Sequence, residues 1–109
     1  MVGQVNGAPV RFMIDTGSTD IVLSPDDAGR VGLHPADAAF SRPTETANGV
    51  GYGAAVTIDS LAAGPIRLTD VPVSINKAPM STSLLGMPFL KRLDSFEVRG
   101  DQLFLRGRR

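Results

Sequence analysis

The chain has 109 residues, 42% hydrophobic and 20% charged, with 11 basic and 11 acidic side chains and a formal net charge of zero. That length holds one domain, residues 1–109, around one modest core; the balanced charge leaves no electrostatic footprint for nucleic acid, and no apolar stretch approaches the roughly 18 residues needed to cross a bilayer. With no cysteine and one histidine, His34 in a loop before Pro35, the supports for disulfides, thiol nucleophiles, Cys/His zinc sites and Ser-His-Asp triads fall away, and any chemistry passes to carboxylates and hydroxyls.

In chain order, Asn6-Gly7 is a hairpin turn signal that leads into Val10-Arg11-Phe12-Met13-Ile14, a run in which Val10, Phe12 and Ile14 share one face. Beyond the polar stretch Asp15-Thr16-Gly17-Ser18-Thr19-Asp20, Ile21-Val22-Leu23 reads as a short buried strand. Ser24-Pro25-Asp26-Asp27 predicts a helix start, with Ser24 as N-cap, Pro25 in the first turn and two acids at the positive end of the dipole; Gly29 or Gly32 stops it. Residues 40–47 are polar and extended, Asn48-Gly49 is a second hairpin signal, and Gly51 and Gly53 flank Tyr52. Val56, Ile58 and Leu61, then Ile66 and Leu68, then Val71, Val73 and Ile75 predict strands broken at Gly64-Pro65 and at Asp70. Leu84-Leu85-Gly86 reads as a buried strand end and a glycine corner, followed by a short helix carrying Phe89, Leu90 and Leu93 inward. Phe96-Glu97-Val98 and Leu103-Phe104-Leu105 bracket a terminal hairpin whose turn includes Arg99-Gly100-Asp101. The pattern is all-β with close turns, and no linker, low-complexity tract or exact repeat interrupts it.

The candidate for chemistry is Ile14-Asp15-Thr16-Gly17-Ser18, a carboxylate in a tight turn at the end of an apolar strand. On the tripeptide alone, an Asx-type turn in which Asp15 caps the backbone accounts for it equally well. Its setting between two apolar strands, with the Leu84-Leu85-Gly86 corner later in the chain, resembles the aspartic proteases of the retropepsin-like kind, particularly their single-lobed bacterial members. The resemblance covers nearly the whole chain: leading hairpin, Asp-Thr-Gly-Ser loop, glycine-containing hairpin, Leu-Leu-Gly corner and helix.

That resemblance implies a closed β-barrel with one short C-terminal helix and a flap hairpin, and an endopeptidase that needs no metal and no cofactor. Hydrolysis of this kind takes two aspartates, one accepting a proton from water and one polarising the carbonyl; held about 3 Å apart, such a pair shares one proton. No other aspartate here precedes Thr-Gly or Ser-Gly, so the second Asp15 must come from another copy of the chain. By the same likeness Thr16 braces the two loops, Gly17 lets substrate backbone approach, and Ser18 bonds near the carboxylate. The flap spans residues 45–54, with Asn48, Gly49, Val50, Gly51 and Tyr52 placed to close over an extended peptide; a plain hairpin turn and an exposed strand aromatic explain Asn48-Gly49 and Tyr52 as readily. Retroviral relatives carry two acids after the motif and an arginine after the corner glycine, where this chain has Thr19, Asp20 and Met87. Asp20 then either contacts substrate backbone or is a solvated loop carboxylate, and the loss of a charged brace implies a weak homodimer. The bacterial members are commonly tethered by an N-terminal membrane helix, which suggests a soluble domain of an inner-membrane-anchored or periplasmic protein, with a membrane met only through that tether. Two lysines against nine arginines hint at a GC-rich bacterial source. The competing expectation is a module of the same fold that dimerises or binds peptides without catalysis.

Overall fold

The computed structural model describes the backbone of all residues except 47, 48, 65, 100, 101, 108 and 109; the side chains of residues 38, 44–50, 65 and 93–109 lie outside the description. Nine strands, two short α-helices and one 3-10 turn (Asp37–Ala39) are described. The strands are β1 (Val2–Val5), β2 (Ala8–Ile14), β3 (Val22–Leu23), β4 (Arg42–Thr46), β5 (Gly49–Ala63), β6 (Ile66–Asn76), β7 (Ser83–Leu85), β8 (Leu93–Arg99) and β9 (Gln102–Gly107); the helices are α1 (Pro25–Arg30) and α2 (Met87–Leu90).

Seven strands form one sheet in the order β1-β2-β7-β3-β6-β5-β4, and β1 also pairs with β5, so six of them close into a barrel with β4 attached outside the ring. The closure starts at the predicted Asn6-Gly7 turn, where both residues take positive φ (51° and 84°), the geometry this pair adopts at the least steric cost. The Asn6 side chain then accepts hydrogen bonds from the amides of Asp59 and Ser60, at 2.9 and 3.1 Å, which fastens the turn to β5 beside the β1–β5 ladder.

The core is apolar and continuous: Val5, Val10, Phe12, Ile21, Leu23, Ile58, Leu61, Ile75, Leu85 and Phe89 are all nearly inaccessible to solvent. Val10 and Phe12 point inward as their spacing requires, and Ile14 is half-buried at the strand end.

Two local expectations are corrected, and between the two glycines offered as the stop of α1 the structure selects the second. Asp70 does not break a strand; β6 runs from Ile66 to Asn76, with Asp70 at φ 52° and the β5–β6 register preserved on both sides, from Ile58↔Val71 to Ser60↔Thr69. What changes there is the phase. Before Asp70 the inward residue is Ile66, after it Val71, Val73 and Ile75; β5 switches in step, from Ala54 and Ile58 to Leu61 and Ala63. A one-residue irregularity of this sort bends a hairpin sharply, so one long pair of strands can wrap round a small barrel while keeping its apolar side chains inside. Helix α1 includes Gly29, and the chain turns away at Gly32, φ 88°. Second, α2 ends at Leu90, so Leu93 begins β8 and its side chain is outside the described residues. The terminal hairpin forms as expected, β8 pairing antiparallel with β9, and among the described residues this two-stranded ladder is separate from the seven-stranded sheet. No described helix is long and apolar enough to cross a membrane.

The predicted N-cap is present: Ser24 Oγ accepts from the Asp27 amide at 3.1 Å, with Pro25 in the first turn. It belongs to a larger network that fixes β7. The buried Ser83 hydroxyl, at the first residue of β7, accepts from the Ser24 amide at 2.9 Å and donates to Asp27 Oδ2 at 2.6 Å. Arg30 donates to the other Asp27 oxygen and to the carbonyl of Pro9 in β2. Burial acts to raise the pKa of the Asp27 carboxyl, but the hydrogen bonds from Ser83, Arg30 and Ser24, with the charge of Arg30, outweigh it and hold the group below its ordinary 3.8. A lowered folded-state pKa means that this stabilisation is complete above the unfolded value and disappears as pH falls through the folded one. The Asp27→Asn variant should therefore lose about 1.5 kcal/mol at neutral pH, and the gap from wild type should narrow below pH 3.8. Urea titrations across that range test it; a gap that widens with acid would contradict the assignment.

Candidate active site

The sequence Met13-Ile14-Asp15 leaves the barrel between two strands of opposite sense. β7 lies parallel to β2, with Met13↔Leu84 and Ile14↔Leu85 in register, and antiparallel to β3, with Val22↔Leu84. The loop that joins β2 to β3, residues 15–21, therefore has to cross over the end of β7. The Asp15 amide donates to the Leu85 carbonyl at 3.0 Å, extending the β2–β7 ladder by one bond to the carboxylate-bearing residue itself.

Inside the loop, the Gly17 amide donates to Asp15 Oδ1 at 2.9 Å and the Ser18 amide to the Asp15 carbonyl at 3.1 Å. The Ser18 hydroxyl donates to the Asp20 carbonyl at 2.8 Å, which fixes the second half of the turn. The Asx-type capping anticipated for Asp15 is thus real, and it leaves the second carboxylate oxygen outside that contact. Asp15 is half-buried, while Thr16 and Gly17 at the loop tip are exposed.

The loop rests on Gly86. A Cβ at that residue would lie 2.2 Å from the Asp20 carbonyl oxygen, 2.6 Å from that of Ser18 and 2.9 Å from Ser18 Cβ. The backbone there is ordinary extended chain, φ −94°, so it is space that demands glycine at this position. One residue on, the Met87 amide donates to the Ser18 carbonyl at 2.9 Å and α2 begins. Phe89 and Leu90 then bury themselves in the core, anchoring the corner from below.

This topology, one carboxylate in a hydrogen-bonded loop laid across a glycine corner inside a closed barrel, has known counterparts. Residues 1–92 match the family model described as "gag-polyprotein putative aspartyl protease". The chain belongs to that family. Among curated relatives it is similar to an uncharacterized protein in the cobV 5′ region of a Sinorhizobium species, 36% identical over 103 residues, and to the uncharacterized protein RP867 of Rickettsia prowazekii, 32% identical over 101 residues. The alignments cover 94% and 93% of this chain but 44% and 43% of those proteins, so the chain spans less than half the length of either. Among solved structures it resembles a retropepsin-like aspartic protease from Rickettsia conorii, with a TM-score of 0.74 and 28% identity over 96% of this chain and 77% of the other. The fold is shared with EIAV protease complexed with the inhibitor HBY-793, with a TM-score of 0.68 and 14% identity over 84% of this chain and 83% of that one. It is shared too with the retroviral protease-like domain of Ddi1 from Leishmania major, with a TM-score of 0.64 and 12% identity over 95% and 84%. The fold is retropepsin-like.

Within this retropepsin-like frame the other anticipated residues are distributed as follows. Asp20 is neither free nor simply solvated: Arg42 Nη2 donates to its Oδ1 at 3.1 Å. β4 and β5 form the anticipated glycine-containing hairpin, in register from Arg42↔Gly53 to Thr46↔Gly49. Asn48 lies outside the described residues, and of Gly49 and Val50 only the backbone, at the start of β5, is described. Gly51 and Tyr52 follow in the same strand; Tyr52 is 52% exposed. The hairpin thus meets the site loop through a side-chain contact of Arg42, at its base.

Sequence reasoning missed a second feature. Met13, Leu84 and Val22 are register neighbours on β2, β7 and β3, on the face opposite the buried Phe12, Leu85 and Leu23. Met13 is 54% exposed, and the other two are half-buried. They form an apolar row on the outer face of the barrel, two residues from Asp15. The row continues to Ser74 on β6, whose buried hydroxyl has no hydrogen-bond partner among the described residues. The alternation of Phe12-Met13-Ile14 contained the signal for Met13, but nothing local showed that the outward face mattered.

Because backbone atoms surround the missing Cβ, Gly86→Ala should displace the loop and cost about 3 kcal/mol. Thermal melting measures that loss, and an alanine variant as stable as wild type would show that the loop does not rest on the corner.

Proposed function

We propose that the chain is an aspartic endopeptidase domain whose active unit is a homodimer with two Asp15 carboxylates facing each other across a two-fold axis. The observation that carries this reading is the Asp15 loop: one half-buried carboxylate, oriented by the Gly17 amide at 2.9 Å, at the tip of a rigidly supported crossing that leaves Thr16 and Gly17 exposed. The sequence contains no second Asp-Thr-Gly or Asp-Ser-Gly, so a single chain supplies half of a two-carboxylate centre. An isologous contact supplies the other half, because a two-fold axis at the loop tip brings the same group to itself.

In that dimer the pair holds one proton. The ionised Asp15 takes a proton from a water molecule as the water oxygen bonds to the peptide carbonyl carbon; the protonated Asp15 gives its proton to the carbonyl oxygen. The tetrahedral adduct then collapses, the C–N bond breaks, and the amine nitrogen leaves with a proton returned through the carboxylates. Like charges about 3 Å apart are what keep one member protonated, so the acid and base roles follow from the geometry of the pair. In this reading Thr16, exposed at the loop tip, braces the two loops against each other, and Ser18 holds the Asp15–Asp20 turn through its own hydroxyl. The β4–β5 hairpin is the flap in this reading, covering an extended peptide and excluding water. Met13, Leu84 and Val22 offer an apolar wall to a substrate side chain beside the cleaved bond.

The dimer contact assigned here is the β8–β9 hairpin, which includes Leu103-Phe104-Leu105. A two-stranded ladder is marginal in water by itself and gains by adding strands at its edges. So small a contact makes a weak dimer, one that a membrane tether would favour by raising local concentration.

Asp15→Ala and Asp15→Asn should abolish peptide hydrolysis with melting nearly unchanged, since each dimer loses both carboxylates at once. Cleavage by a folded Asp15→Ala protein, assayed in mild acid with and without a statine-type transition-state mimic, would remove Asp15 from the mechanism. A folded wild type that binds peptide but never cleaves would favour a non-catalytic peptide-binding module.

Specific activity should rise with protein concentration through the range where sedimentation detects dimer, and removal of residues 103–109 should lower activity more than it lowers the melting temperature. Constant specific activity in demonstrably monomeric protein would overturn the dimer.

A further inference from the structure

Arg42 and Asp20 form an ion pair at the junction of the β4–β5 hairpin and the Asp15 loop, and its two members are unequally covered. The Asp20 side chain retains 21% of its exposure and the Arg42 side chain 51%. The anion is thus the covered member and the cation the accessible one, so the junction presents a guanidinium to solvent. Its position can be followed across the sheet. Arg42 is paired with Gly53 on β5, and Gly53 with Asn76 on β6. Asn76 lies on the same side of β6 as Ser74, opposite the core residues Val73 and Ile75, and Ser74 is the register neighbour of Val22. Arg42 therefore rises from the same outer face of the barrel as the apolar row of Met13, Leu84 and Val22, on the hairpin side of it.

We propose that Arg42 is a specificity-determining residue that selects peptide substrates with an acidic side chain on the hairpin side of the apolar row. The inference rests on the endopeptidase reading above and gives its substrate class: an extended peptide with an apolar residue against Met13 and Leu84 and a Glu or Asp against Arg42. An extended chain sends successive side chains to alternate faces, with those two residues apart separated by roughly 6.5–7 Å, so one strand-like segment can offer both groups to the same surface. Arginine suits the task because its planar guanidinium can keep one N–H on Asp20 while another meets an incoming carboxylate. Asp20 fixes the guanidinium in place before substrate arrives, so less side-chain freedom is lost on binding. The same pairing makes a basic peptide side chain unwelcome: it would meet the exposed cation, while the carboxylate that might attract it is already engaged.

The test is a set of extended peptides sharing one apolar residue, in which each position flanking it is in turn Glu, Gln, Ala or Lys. The quantity read is the ratio of kcat/KM for Glu to that for Lys within each protein, so any general loss in a variant cancels. Wild type should favour Glu over Lys at one position by about fivefold, the scale of one half-exposed charge pair. Arg42→Ala should flatten that ratio, Arg42→Glu should invert it, and the doubly exchanged Arg42→Asp with Asp20→Arg should keep the pair while changing the preference. Raising the salt should shrink the wild-type ratio, because the Debye length is about 10 Å at 0.1 M and shorter above. A wild type that cleaves the set with no charge preference, or a preference unmoved by Arg42→Glu in a variant that still melts cooperatively, overturns the assignment of Arg42 and leaves the endopeptidase reading standing. Failure of wild type to cleave any member at any protein concentration removes that reading and this one together.

Discussion

Everything functional about this barrel depends on a close backbone crossing, the Ser18–Asp20 segment lying on Gly86. Three carbonyl and amide contacts converge there: Asp15 N–H to Leu85, Met87 N–H to Ser18, and the steric contact of the Ser18 and Asp20 carbonyls with a residue that has no side chain. A crossing this tight leaves the loop little freedom. The carboxylate at its start is therefore held by main-chain hydrogen bonds, whose geometry is far less adaptable than that of a flexible side-chain contact. Rigid support of this sort is what pre-organised chemistry needs, because a reacting carboxylate that wandered by an ångström would lose much of its advantage.

The barrel exists to hold β7 where that crossing can be made. β7 is only three residues long, yet it is gripped on three sides: β2 parallel, β3 antiparallel, and the Ser24–Asp27–Ser83 network below its first residue. A buried network of polar groups is worth having when every member is satisfied, and here the Ser83 hydroxyl is both acceptor and donor while Asp27 takes partners on both oxygens. The same network links α1 to β2 through Arg30 and the Pro9 carbonyl. Strand and helix are thus tied together by hydrogen bonds, and the loop to the end of the same strand.

The outlying β4–β5 hairpin is different in kind. β4 lies outside the closed ring, attached through β5, and its described side-chain contact with the site loop is the Arg42–Asp20 pair. Among the described residues a partly exposed charge pair joins this element to the site loop, and it is the element that the proposal assigns to covering a peptide. The family likeness supports a protease on sequence and fold, and the chemistry proposed for it needs a second copy because each chain brings one suitable carboxylate.

Much of this was legible in the sequence. Short-range chemistry gave reliable signals: the Asn6-Gly7 turn, the Ser24 cap with Pro25, the inward Val10 and Phe12, and the terminal hairpin each depend on residues close together in the chain. The Asp15-Thr16-Gly17 loop and the Gly86 corner were visible as motifs, and their order along the chain pointed to the fold. What the tertiary structure alone decided were relations between distant residues. Asp70 looked like a break because aspartate favours turns over strand interiors, and only the pairing on either side of it, Ile58↔Val71 and Ser60↔Thr69, turns it into a bend with an intact register. Asp20 meets Arg42, 22 positions further along the chain, a contact that no local pattern encodes. Gly86 was recognisable as a corner, but the reason it must be glycine is that two carbonyl oxygens of another loop occupy the space of its missing side chain. Periodicity tells which face of a strand is buried; it cannot tell which outward face lies beside a carboxylate, because that depends on how the strands are ordered round the barrel.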